Sequence, residues 1–214
     1  MPIKQISTQL IITDGDSERK LQKLNLSAEG LTQACLQGVL SRSNCTDYNT
    51  KGGPGFIQWD NTVKALRERF CGKNWVKYEY GGLEGIVSTD KIIRIIPSSG
   101  NVATGNKNQP ASNKNPKGIN MIHLIEKTQQ LSLFSDISNQ INDDNIITYI
   151  LLYYNNEKEL RLELSKPASI NKGKIVAWEE RIIINPYDFG STSFEQEKEA
   201  EEDCIDIPIL RKQN

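Results

Sequence analysis

His123 is the one histidine in a chain of 214 residues. A two-histidine metal site is therefore excluded, and any serine or cysteine triad would depend wholly on that residue. Close-spaced cysteines are also lacking. Cys35, Cys45, Cys71 and Cys204 have no CxxC-type spacing, so a structural zinc site is not expected, and reduced thiols in a cytoplasmic protein are. No serine or cysteine carries a local nucleophile signature. Long apolar runs are missing too: Ile146 to Tyr154 is the longest and is far too short to span a bilayer. The segment MPIKQISTQLIITDGD has no sustained apolar stretch or small-residue cleavage site, so no signal peptide and no membrane association are expected.

The most informative absence is local. From Pro97 to Lys117 the chain reads PSSGNVATGNKNQPASNKNPK, with no acidic residue and no apolar side chain larger than Val102. Gly, Ser, Thr, Asn and Pro dominate, and these residues favour turns over helix and strand. Compact domains seldom carry a connection this long unless it binds something or is disordered. Its lysines and exposed amides suit an anion, with phosphate the first expectation. Net charge is −1 but unevenly placed, since Glu195 to Asp206 is strongly acidic. Bulk coating of nucleic acid is thus not indicated, whereas a local basic patch is compatible with the composition.

Periodicity predicts three helices. Ser27 caps one that carries Leu31, Ala34, Cys35, Gly38 and Val39 at helical spacing and ends near Leu40 to Arg42. Trp59, Val63, Leu66 and Phe70 form one stripe of a second over 59–71, with Gly72 expected as its left-handed cap. Asn120 to Leu133 gives the third. Strands are expected near 3–13, in three pieces over 75–96, and in three more over 146–184. Of the last group, Ile146 to Tyr154 should be central, and Leu160, Leu162 and Leu164 should face the core opposite a wet face. Trp178 to Glu180 is expected to mark either a bulge or the point where the strand leaves the sheet. The predicted architecture is a single α+β domain over 1–190, an antiparallel sheet of meander-type hairpins at 75–96 and 146–184 covered on one side by about three helices. Residues 191–214 are expected to be a mobile acidic tail.

Three constellations bear on function. Gly100 to Gly105 has the glycine spacing of a nucleotide-binding P-loop, but Asn106 stands where the lysine should follow and Gln109-Pro110 opposes the required helix. Ser98, Ser99, Thr104, Lys107, Lys114 and Lys117 are the candidate ligand-binding residues of a more general anion loop. Glu84, Asp90 and Lys91, with Glu163 on a second hairpin, are candidates for a magnesium-dependent nuclease, because two carboxylates that leave water on the metal can activate it for phosphodiester cleavage. A basic and aromatic surface around Trp75, Lys77, Tyr78 and Tyr80 is the third. Two functional expectations result. One is a prokaryotic or phage protein of the restriction or defence type that binds nucleic acid or a nucleotide through loop 98–118. The other is a non-catalytic module that binds or regulates a protein partner.

Overall fold

The structure, a computed structural model, describes residues 10–133 and 146–190, with the side chains of 129–133 left aside. Seven strands form one sheet: β1 (Leu10–Ile12), β2 (Trp75–Tyr80), β3 (Leu83–Ser88), β4 (Ile93–Ser99), β5 (Ile147–Asn155), β6 (Glu159–Asn171) and β7 (Lys174–Asp188). Their order is β1-β7-β6-β5-β4-β3-β2, so the apolar β5 is the middle strand, as its composition implies. The β2–β3 hairpin turns at Gly81-Gly82 and the β6–β7 hairpin at Lys172-Gly173, all four with positive φ, as two-residue turns between twisted strands require.

The expected antiparallel sheet is corrected at two places. β4 pairs with β5 in parallel from Ile93↔Ile147 to Ser99↔Tyr153, and β1 pairs with β7 in parallel. The sheet is mixed, though the protein is still of α+β type. The cause lies in the connection: a hairpin reverses the chain in a few residues, whereas the chain after β4 passes through a long loop and a helix before it re-enters beside β4 in the same direction. Composition located both strands but did not define their polarity.

Four helices are present among the described residues, not three. The added one, α1 (Gly15–Lys23), follows the expected Asp14 turn; it is polar except at Leu21, which is fully buried. Ser17 of α1 donates its hydroxyl to the carbonyls of Ile12 and Ile183, tying the helix to β1 and β7. α2 (Ala28–Ser43) begins at Ser27, whose hydroxyl accepts from the Gly30 amide. α3 (Gly53–Phe70) starts six residues before the expected Trp59, because Gly52-Gly53-Pro54-Gly55 is its first turn. It ends with Cys71 in an extended conformation. These three helices pack on one face of the sheet over Ile95, Tyr149, Leu151, Leu160, Leu162, Leu164 and Ile182.

The other face is covered as well. α4 (Ile119–Leu133) and the loop before it lie over Ile96, Ile150, Leu152, Ile175 and Trp178. The expected wet face of β6 is therefore partly covered: Glu159 and Arg161 are half-buried, and Glu163 is fully enclosed with Arg181 as its partner. Register shifts fall at Pro167, which pairs with Trp178, so the expected bulge is real. No helix of the described residues is long and apolar enough to cross a membrane.

Cys35, Cys45 and Cys71 are free thiols, and Cys204 lies outside the described residues. Burial pushes the Cys35 thiol far above its usual range, and burial also raises Cys71 against the opposing pull of Arg67 and Lys77. Thiol titration of the native protein should accordingly leave Cys35 unmodified until the chain is unfolded. Rapid modification of Cys35 in native protein would place α2 wrongly in the core.

A candidate anion-binding cleft

The acid-free loop is a folded layer, not a loose connection. Gly100 and Asn113 form a bridge, and the amides of Asn101 and Lys114 bond to Ser112 and Ser99 carbonyls. Trp178 donates its indole N–H to the Ala111 carbonyl at 2.8 Å, and Arg161 donates to Val102. Arg181 donates to the carbonyls of Asn106 and Gln109, each at 3.1 Å, while Glu163 accepts from the Gly105 amide at 3.0 Å. Fully buried Asn113 joins the loop to the β6–β7 hairpin: its amide donates to Gly173 and Asn115 carbonyls, and its oxygen accepts from Ile175 N–H. Asn113 thus bonds the loop to the sheet backbone, while Asn101 and Asn106 bond within the loop.

Where this loop meets the helical face, a cleft of about 380 Å³ opens at the carboxyl end of the parallel β4–β5 pair. Sites of this kind are common outside the carboxyl ends of parallel strands. Ser98 and Ser99 form its floor with Tyr153, Lys114 and Lys117 come from the loop, Arg42 from the last turn of α2, and Gly52 and Gly55 from the first turn of α3. Among the described residues no acidic side chain lines it. Arg42 is braced by Gln58, to which it donates at 3.1 Å, and Gln58 in turn donates to Asn155 at 2.8 Å. The first helical bond of α3 runs from the Phe56 amide to Gly52, so its positive end faces the cleft without a side-chain cap.

Three groups at this cleft lack partners among the described residues. The ammoniums of Lys114 and Lys117 make no ion pair or hydrogen bond, and neither does the hydroxyl of Tyr153, a residue only 3% exposed. Burial lowers the Lys117 pKa to about 8, assisted by the Lys174 ammonium nearby. Lys174 is held by the carbonyls of Asn113 and Lys114, at 2.9 and 2.6 Å. Lys117 itself is positioned by its amide, which donates to Gly173. Gly173 has φ of 77° and a Cβ there would meet Lys117 backbone atoms at 2.7–2.8 Å, so only glycine allows this approach. Burial pushes the Tyr153 phenol well above its usual range, with Cys35 adding and Arg42 opposing, which keeps it a neutral hydrogen-bond donor.

The structure thus brings together Ser98, Ser99, Lys114 and Lys117 of the six expected ligand residues. Thr104 is fully buried with its hydroxyl against Gly100, and Lys107 is exposed on the loop away from the cleft lining. The four expected catalytic residues do not share one pocket. Glu84 is paired with Arg67 on the α3 face, and Asp90 accepts from Ser88 and the Ile92 amide in the β3–β4 turn, where Lys91 has φ of 56°. Glu163 is fully engaged beneath the loop by Arg181, Ser165 and Gly105. Among the described residues no group of three His, Cys, Asp or Glu could hold a metal ion. His123 is exposed on α4.

Sequence reasoning did not find Arg42, Gln58, Tyr153 or the first turn of α3. A signal for the last was present: the polar stretch SRSNCTDYNTKGGPG is a glycine-rich approach to a helix start, the local chemistry of anion sites. The others depend on long-range packing. Comparison with known proteins adds no family to this picture: no family model, curated protein or solved structure matches the chain.

Proposed function

We propose that the protein binds a nucleic acid or nucleotide through a phosphate seated in this cleft, in a cytoplasmic setting. One observation carries the proposal: Arg42 from the end of α2 and Lys114 and Lys117 from the loop converge on a cleft that no acidic residue lines among the described residues. Unpaired cations held together cost electrostatic energy in the empty protein, and an anion removes that cost. The proposal is one of binding and contains no cleavage step, since the acidic candidates are engaged elsewhere.

Calorimetry with ADP, pyrophosphate and short oligonucleotides tests it. The Lys114→Ala/Lys117→Ala double variant should weaken binding by at least roughly 10–100-fold, the range for losing a single charged hydrogen bond. Lys107→Ala should leave affinity unchanged, because Lys107 lies outside the cleft lining. The pH dependence has a definite sign. Lys117 is charged below about 8 and neutral above it, so affinity should fall as pH rises through 8, where an ordinary lysine would hold its charge to beyond 10. If the native protein binds none of the probes, or the double variant binds equally well, the loop is structural only and the protein-interaction alternative takes its place.

A further inference from the structure

We infer that the cleft is one end of a longer path for single-stranded nucleic acid, which runs on past Trp59 and the Gly81-Gly82 turn into the groove between β2 and α4. This rests on the phosphate reading of the cleft. Three depressions are contiguous. The cleft shares Trp59 and Lys117 with a neighbouring hollow of about 380 Å³, and that hollow shares Asn120 with the β2–α4 groove of about 470 Å³. Asn120 donates to the Gly81 carbonyl at 2.8 Å, which fixes the start of α4 against the turn. Along β2 the groove runs from Val76 to Tyr80, about 13 Å at the usual rise per strand residue.

The chemistry along this path suits a strand whose bases are unpaired. Two aromatic platforms stand along it: Trp59 beside Phe56 where the cleft meets the hollow, with ring centroids 5.7 Å apart, and Tyr80, 67% exposed, where the hollow opens into the groove. Exposed rings beside a cationic phosphate site are the recurring arrangement of single-strand binding, since every base has a face that can stack. A duplex keeps its base faces inside the helix and cannot use them. The two acids that border the path among the described residues, Glu79 and Glu84, are both paired with Arg67, which reduces their repulsion of a phosphate backbone. His123 adds a polar ring on the α4 wall.

Anisotropy of labelled oligothymidylate and oligouridylate of about a dozen nucleotides, against a hairpin duplex and unlabelled ADP, separates the two levels of inference. Tyr80→Ala should weaken both oligonucleotides by about ten-fold while leaving ADP binding unchanged, and Tyr80→Phe should restore most of the loss. Lys114→Ala/Lys117→Ala should weaken oligonucleotides and ADP alike, and should lower the salt slope by about 0.7 per lost phosphate contact. If Tyr80→Ala is silent, or the duplex binds as tightly as the single strands, the path is wrong. Lysine-dependent ADP binding would then leave the cleft standing alone, whereas failure of every probe would remove both.

Discussion

Arg181→Met is expected to destabilise the fold by about 3–5 kcal/mol, because it leaves Glu163 as a buried charge without its counterion. Glu163 is fully buried and Arg181 is 1% exposed. The guanidinium meets both carboxylate oxygens, one of them through Nε at 3.1 Å. The remaining acceptor capacity of the carboxylate is filled by Ser165 and the Gly105 amide. Two of the three remaining guanidinium hydrogens go to the carbonyls of Asn106 and Gln109, so the same change also releases the loop from the sheet. Urea unfolding gives the stability, and proteolysis within 106–109 reports the loop. Arg181→Met/Glu163→Met should recover much of the loss, since replacing both members of a buried pair by apolar groups is often neutral. A loss below about 1 kcal/mol for Arg181→Met would mean that the carboxylate reaches water, and Glu163 would return as a candidate for chemistry.

That pair shows where the sequence was legible and where it was not. Alternation of Leu160, Leu162 and Leu164 with charged residues defined β6 and its core face correctly. It also implied that Glu159, Arg161 and Glu163 met solvent, because period-two patterning assumes a single buried face. What covers the second face is the loop itself, whose composition reads as turn or disorder. Its order comes from side chains sixty or more residues away, such as Arg181 and Trp178, and local propensity carries no trace of those contacts. The same limit applies to the cleft. Lys114 and Lys117 stand out in an acid-free segment, but Arg42 looks like any surface arginine near a helix end until β4, β5 and α3 bring it beside them.

Leu162→Ala should cost about 2–5 kcal/mol, the range for removing a buried leucine and leaving part of its space unfilled. Leu162 is fully buried on β6 between Tyr153 and Ile184, under the helices. The adjacent Arg161 provides the comparison on the opposite face. It pairs with Glu159 at 3.1 Å, lies 4.8 Å from the centre of the Tyr154 ring and donates to the Val102 carbonyl. A partly exposed ion pair and a surface cation–π contact are each worth no more than about 1 kcal/mol. Arg161→Ala should therefore cost clearly less than Leu162→Ala, about 1–2 kcal/mol with the lost bond to the loop included. The two variants should also fail differently. Leu162→Ala should lower the urea midpoint of the whole sheet, while Arg161→Ala should first loosen the loop around Val102. Equal losses would place the burden of β6 on the loop-covered face, and the three-helix layer would then contribute less to the core than its apolar contacts indicate.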